Sequence, residues 1–407
     1  MVTLKWHTSV LLLGLICAVA LLIFASSASG QVAGAEIDED ATGAPYAAGE
    51  LLVTYKENAS ARDMQSVEQV AGADVEKAIP EIDTQLVELP DVKGERVESV
   101  RERELEKRKK ELERDPAVKS VDYNYVYTGS FTPRDPKFKK QWGLRRTGFE
   151  KAWNRTRGKG IRIAIIDSGA AIRHNDLRYK IAAKYDFRDR NRSVEDLNGH
   201  GTHVAGKAAA KINRKGVVGG CPSCHLIVAK ALGKNLIGYN SDIIDAIVWS
   251  TRKKARVINL SLGSTSRSQA MKEAVDFARR RGAVVVAAGG NYGNNKSVYP
   301  AAHSGVIGVS YTTRKNRRAS GASYGPWIDV AAPGYDILST VPRGYARKTG
   351  SSMASPHVAG LAGLMARKGY KRRAIERRIQ RTAKDLGPAG RDRFYGAGLI
   401  RADRAVR

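Results

Sequence analysis

From about residue 158 onward the chain alternates short, almost wholly apolar runs with longer amphipathic ones. The apolar runs are IRIAII (161–166), LIVAKAL (226–232), VINLSL (257–262), AVVVAA (283–288) and VIGVSY (306–311); helical patterns fall at about 200–212, 242–255, 269–281 and 352–367. Strands buried on both faces read as continuous apolar runs, and their alternation with helices builds a parallel sheet covered on both sides. The pattern therefore predicts an α/β domain with a doubly wound parallel sheet. An earlier segment reads differently. Runs at 51–56, 84–89 and 118–127 predict strands, and 59–71 and 95–114 predict helices, a β-α-β-α-β order that fits a small α+β sandwich. The run RERELEKRKKELER has opposite charges four residues apart and reads as a solvated helix face.

The first 45 residues carry no such period. Lys5, an apolar run over 10–25 and small residues at 26–30 have the order of a secretory signal. The run is about 16 residues, short for a bilayer span, so export is the expectation and an uncleaved signal anchor the alternative. Residues 31–45 are small, acidic and turn-rich, as in a linker, and the pattern resumes at Gly49. The domain boundaries expected are 1–30 signal, 31–45 linker, 46–128 first domain and 129–407 second domain. Of three cysteines, Cys17 lies in the signal, and Cys221 and Cys224 form a lone C-x-x-C in a loop. That spacing lacks the second ligand pair of a zinc site, so an exported chain is expected to close a small loop disulfide.

Composition narrows the class and charge divides the chain. Hydrophobic residues are 42% and charged residues 27%, which excludes wholesale disorder and collagen. The net charge of +28 admits nucleic acid, an anionic membrane or acidic substrates as partners. Yet residues 31–128 hold about 23 acids against 13 bases, so an acidic first domain precedes a very basic second one. The surplus lies in TRKK, ARRR, RKNRR and KRRAIERR, at helix ends and loops, without aromatic interleaving; a solvated surface is the simpler reading.

In a doubly wound sheet, reactive groups belong beyond the carboxyl ends of strands. The first strand runs into Asp167-Ser168-Gly169, and no G-x-G-x-x-G follows it, which weakens a nucleotide-binding reading of that carboxylate. NGHGTHVAG (198–206) sets His200 between two glycines, letting its ring approach the Asp167 loop. His203 lies three residues on, a weak metal-ligand spacing. GSSMASPHVAG (350–360) puts Ser352 at the start of an apolar helix, whose N-terminus favours developing negative charge. Each segment alone is ambiguous, since a helix-start serine is usually a cap.

Together, AIIDSGA, NGHGTHVAG and GSSMASPHVAG closely resemble the three signature segments of the subtilisin-like serine proteases, and the resemblance runs over about 135–403. It implies a subtilisin-like catalytic domain in which Asp167 orients His200, His200 takes the proton of Ser352, and Ser352 attacks a peptide carbonyl. VVVAAGGNYG is similar to the family's oxyanion motif and implies Asn291 as a donor. NLSLGS resembles the substrate-pairing strand, with Ser261, Leu262 and Gly263 on one side of the first specificity pocket and Ala288, Gly289 and Gly290 on the other. Asp176 and Asn213, with Asp135, match positions that supply calcium ligands in the family, although Lys211, Arg214 and Lys215 crowd that loop. No cofactor for catalysis is implied beyond this structural calcium.

GELLVTYKENAS through DPAVKSVDYNYVY resembles the family's inhibitor propeptide, a small ferredoxin-like α+β domain. The implied protein is a secreted, monomeric serine endopeptidase made as a zymogen. Polypeptides are its substrates and its own propeptide its inhibitor, with self-cleavage between Tyr127 and Asp135 and weak association with anionic surfaces. The rival from another class is a catalytically silent binding protein that uses its basic surface.

Overall fold

The computed structural model describes residues 36–40, 44–95, 97–126 and 131–407. The expected signal, Cys17 and residues 127–130 next to the expected processing bond lie outside them. The chain divides into two compact units, residues 1–127 and 128–407.

The first unit comprises β1 (Ile37–Glu39), β2 (Pro45–Tyr55), α1 (Ala61–Ala71), β3 (Asp74–Ile79), β4 (Thr84–Glu88), α2 (Pro90–Lys93), α3 (Glu98–Leu112) and β5 (Val118–Tyr125). Its sheet is antiparallel in the order β1-β2-β4-β3, with β5 also paired to β2. Leu51 and Val53, Val67 of α1, and Leu105 and Leu112 of α3 share one buried core. The capping box of Ser60 and Asp63 and the left-handed Gly72 set the two ends of α1.

Structure begins earlier than the linker reading expects, because β1 falls within 31–45 and β2 starts before Gly49. The acidic residues there are not all solvated: Asp38 is buried and accepts two 2.6 Å hydrogen bonds from the Arg101 guanidinium. Arg101 itself belongs to the charged run expected to face water. Bidentate pairing offsets the cost of burying both charges. The rest of that run does form opposite-charge pairs one turn apart, such as Arg108 with Glu104. The edge strand β3 escapes the pattern because most of its side chains are exposed, so no alternation marks it.

The second unit contains α4 (Trp142–Arg146), α5 (Phe149–Arg155), β6 (Arg162–Asp167), β7 (Ile181–Asp186), α6 (His200–Ala209), β8 (His225–Lys230), α7 (Asn240–Arg252), β9 (Val257–Leu260), α8 (Gln269–Arg280), β10 (Val284–Ala288), β11 (Val306–Thr312), β12 (Val330–Pro333), β13 (Ile337–Val341), β14 (Gly344–Lys348), α9 (Ser351–Arg367), α10 (Arg372–Arg381) and α11 (Ala402–Ala405). Seven strands form one parallel sheet in the order β12-β11-β10-β9-β6-β8-β7.

The period-2 alternation of each strand feeds two cores. In β6, Ile163 and Ile165 face a core shared with α5, α6 and α9, whereas Ala164 and Ile166 face one shared with α7 and α8. That division is the doubly wound arrangement. α9 is buried along nearly its whole length, which is why its sequence is apolar all round. The sulfurs of Cys221 and Cys224 are joined, as expected, beside Gly158 and Gly363.

Candidate active site

Asp167 ends β6 at the carboxyl edge of the sheet. Its Oδ1 accepts hydrogen bonds from the Ser168 N–H and from His200 Nδ1, both at 2.7 Å. His200 opens α6, whose first-turn N–H groups have no acceptors within the helix. Asp196 fills that need. Its Oδ2 accepts from the Thr202 N–H (2.7 Å) and Thr202 Oγ1 (2.6 Å), and its Oδ1 from the Gly199 N–H and Ser168 Oγ, both at 2.8 Å. The Gly201 N–H donates to Ser168 Oγ at 3.0 Å. The loop bearing Asp167 and the helix bearing His200 are therefore tied to one buried carboxylate. Gly201 allows the approach, since a Cβ there would lie 2.2 Å from the Gly169 carbonyl oxygen.

Burial is the largest influence on the His200 imidazole and acts to lower its pKa. The charge and hydrogen bond of Asp167 together outweigh it, so the net shift is upward. His203, one turn on, has a different task. It is buried between backbone carbonyls, with Nε2 2.9 Å from Ile337 O and 3.2 Å from Ala346 O, and burial pushes its pKa down to about 3. It fastens α6 to the β13–β14 hairpin as a neutral ring and is no metal partner of His200.

Ser352 is the second residue of α9. Pro356 has no N–H to give the Ser352 carbonyl, and the Ser261 hydroxyl takes that place at 3.1 Å. In return Ser352 Oγ donates to the Ser261 carbonyl at 3.1 Å. This exchange fixes the helix start against the segment after β9. Asn291, after β10, accepts from the Ser351 N–H at 2.8 Å and Ser351 Oγ at 3.0 Å through its Oδ1. The amide is thereby oriented with Nδ2 as its remaining polar atom.

His200, Ser352 and Asn291 line one cleft of about 950 Å³, together with Ser261, Leu262 and Gly263 and, opposite, Ala288 and Gly290. Gly289 does not line it. Its N–H donates to Val309 O at 2.8 Å and its carbonyl accepts from Trp327 Nε1 at 3.0 Å, so it sits behind the wall. The sequence reading missed Val298, which is buried and lines the same cleft. A Cβ on Gly263 would lie 2.6 Å from one Val298 methyl, and a Cβ on Gly290 2.7 Å from the other. Val298 thus wedges between the two walls. No local signal marks it, because the contact arises only when the segments converge. Asp196 was missed for the same reason.

The three residues matched to calcium positions also come together. Asp135 Oδ1 accepts from the Asn213 N–H at 3.0 Å, and Asp176 Oδ1 accepts from Asn213 Nδ2 at 3.0 Å. Among the described residues no group of three or more His, Cys, Asp or Glu side chains is placed to hold a metal; here two carboxylates meet one amide.

Comparison with known proteins agrees with this architecture. A model of the subtilase family, Peptidase S8, matches residues 158–398, and one of the fervidolysin N-terminal prodomain matches residues 33–124. The chain is 38% identical to a thermophilic serine proteinase of Bacillus sp. (strain AK1), over 89% of this chain and 88% of that protein. It is 38% identical to thermitase of Thermoactinomyces vulgaris, over 68% of this chain and 99% of that protein. It is also 38% identical to the minor extracellular protease Epr of Bacillus subtilis, over 72% of this chain and 47% of that protein. A solved protease structure from Pseudoalteromonas arctica superposes with a TM-score of 0.63 at 32% identity, covering 68% of this chain and 99% of that one. With a parallel sheet, a cleft at its carboxyl edge and matches over most of its length, the chain belongs to the subtilase family, as a subtilisin-like serine protease with an N-terminal prodomain.

Proposed function

We propose that the protein is a secreted endopeptidase that works through Asp167, His200 and Ser352, with Asn291 stabilising the oxyanion, and that it frees itself from its own prodomain. The observation that carries this reading is the 2.7 Å bond from Asp167 Oδ1 to His200 Nδ1 in the cleft shared with Ser352 and Asn291.

In the step proposed, the Ser352 hydroxyl leaves the Ser261 carbonyl by rotation about Cα–Cβ and gives its proton to His200 Nε2 as Oγ attacks the substrate carbonyl. Asp167 holds the ring in the tautomer with Nδ1 protonated and stabilises the imidazolium. Asn291 Nδ2 and the Ser352 N–H, a first-turn donor without an acceptor in its helix, meet the negative oxygen. His200 then protonates the leaving amine, and water, deprotonated by the same ring, hydrolyses the acyl-enzyme.

The prodomain is proposed to occupy the protease as an inhibitor until a bond between Tyr127 and Asp135 is cut. Its acidic surplus against the basic second unit favours association. Secretion is supported by the order of residues 1–30 and by the extracellular relative. Among the described residues no helix is long and apolar enough to cross a membrane. Structural calcium is proposed to centre on Asp135, because the other side-chain oxygens here already accept N–H donors: Asp176 from Asn213 Nδ2 and the Val217 N–H, and Asn213 from the Lys215 N–H. Asp135 Oδ2 is buried without a hydrogen-bond partner among the described residues, and burial, with the nearby Asp176 charge, raises the Asp135 pKa. An oxygen-seeking divalent cation held there would neutralise both carboxylates.

Two substitutions test the cleft. Asn291→Ala will lower kcat on a peptide substrate by about 10²–10³, the loss that removing a like donor brings in a subtilisin, with KM little changed. An unchanged kcat would remove Asn291 from the mechanism. Val298 narrows the slot between Gly263 and Gly290, so small P1 side chains are preferred. Val298→Gly will raise kcat/KM for a P1 phenylalanine relative to a P1 alanine by about tenfold or more. A constant ratio across a P1 peptide series would mean that Val298 does not set the pocket floor.

A further inference from the structure

Away from the cleft, the second unit holds a concavity of about 640 Å³. Apart from Trp142, every side chain lining it is cationic: Lys139, Lys140, Arg145, Arg146, Arg314 and Arg347. They come from three separate stretches of chain. The two lysines precede α4, Arg145 and Arg146 are its last two residues, Arg314 follows β11, and Arg347 lies on β14.

All six are exposed, while Trp142 is buried. Two have acidic neighbours: Arg347 Nη1 bonds Asp336 Oδ2 at 2.8 Å, and Arg145 Nε is 3.7 Å from Glu150. Lys139, Lys140, Arg146 and Arg314 have no carboxylate partner among the described residues. The backbone fixes the group in place. Arg146 Nη2 donates to the Arg314 carbonyl at 3.1 Å, Arg347 Nη2 to the Lys140 carbonyl at 3.4 Å, and the Arg314 guanidinium lies 5.9 Å from the Trp142 ring centre. Like charges on mobile side chains ordinarily spread apart in water; here three segments turn them into one hollow.

We infer that this hollow is a binding site for a compact polyphosphate anion, separate from the proteolytic cleft and independent of the proteolytic reading. Guanidinium forks match phosphate oxygens in bidentate pairs, and the lysines add point charges. A volume of this size suits a small multiply charged ligand. Trp142 is buried with Arg314 against it, which leaves no exposed ring in the hollow on which the bases of a single strand could stack.

Titration calorimetry of the full chain, carrying Ser352→Ala so that it stays intact, tests this with inorganic tripolyphosphate as probe. Saturable binding at one site is expected, with orthophosphate at least tenfold weaker. The double variant Arg146→Ala, Arg314→Ala will weaken tripolyphosphate at least tenfold. Arg280→Ala with Arg281→Ala, which removes the same charge at the end of α8, will leave it unchanged. If the first double variant unfolds at a lower temperature than the parent, Lys139→Ala with Lys140→Ala takes its place in the comparison, with the same tenfold loss expected. The inference is overturned by absence of saturable binding, by equal weakening in the α8 variant, or by an oligonucleotide that binds at this site more tightly than tripolyphosphate.

Discussion

Replacing Ser352 with alanine will lower kcat on a peptide substrate by about a millionfold, the loss that removing the nucleophile brings in a subtilisin. The effect is large because, in the mechanism proposed, the hydroxyl is the atom that bonds the substrate; without it neither His200 nor Asn291 would have a covalent step to assist. The same change will make the uncut chain accumulate, since the prodomain is proposed to be removed by the enzyme itself. Two readouts, rate on an added peptide and chain mass after expression, separate the chemistry from the processing. Loss of peptide hydrolysis with normal trimming would mean that another protease cuts the chain. Retention of both would leave Ser352 outside the chemistry.

The second large effect concerns a residue that takes no part in that chemistry. Lys207 lies on α6, two turns from His200, and is 1% exposed. Burial pushes its pKa down to about 7, with no compensating charge among the causes. Lys180, equally depressed to about 7 by burial, at least donates to Pro222 O at 2.5 Å. In the unfolded chain a lysine titrates near 10.4. Between pH 7 and that value the unfolded state holds a proton that the folded state has lost, so native stability rises with pH across this window. Below pH 7 both states carry the proton and the cost of burying the ammonium is felt in full.

Lys207→Met keeps an unbranched chain of similar length and removes the charge. It will stabilise the protein by about 1–4 kcal/mol near pH 6.5, seen as a Tm higher by several degrees, and the gain will shrink toward pH 10. Thermal unfolding at one scan rate, in the Ser352→Ala background at pH 6.5 and 9.5, measures both. A gain of equal size at the two pH values would assign the effect to packing and not to the ammonium. A lower Tm would mean that Lys207 has a stabilising role that burial alone does not describe.

Much of this was legible from the chain because the informative residues are contiguous. Strands β6, β8, β9, β10 and β11 are apolar runs buried on both faces, and each falls within about two residues of its expected position. Asp167, His200 and Ser352 each sit in a short motif whose glycines and small residues serve local geometry. What escaped depends on distant segments meeting. β7 at the sheet edge alternates half-buried and exposed positions with only Asp186 fully buried, and β12 is only four residues long. Val298 is one valine among loop residues until Gly263 and Gly290 close on it. Asp196 becomes a cap for α6 only through its position beside Thr202. Lys207 stands in the same small-residue helix as His200, yet its hydrophilic side chain gave no hint of burial. The acidic stretch around Asp38 read as solvated because its partner, Arg101, lies 63 residues away.

The whole account rests on Ser352 being a nucleophile driven by His200, and labelling by a fluorophosphonate reads that directly. Peptide mapping after reaction is expected to place a single adduct on Ser352. The labelling rate should drop as pH is lowered through a value above the ordinary imidazole pKa, because His200 must be neutral to take the proton and the Asp167 partnership outweighs burial there. An adduct on a different residue, or no adduct from a preparation that still cuts peptides, would contradict it.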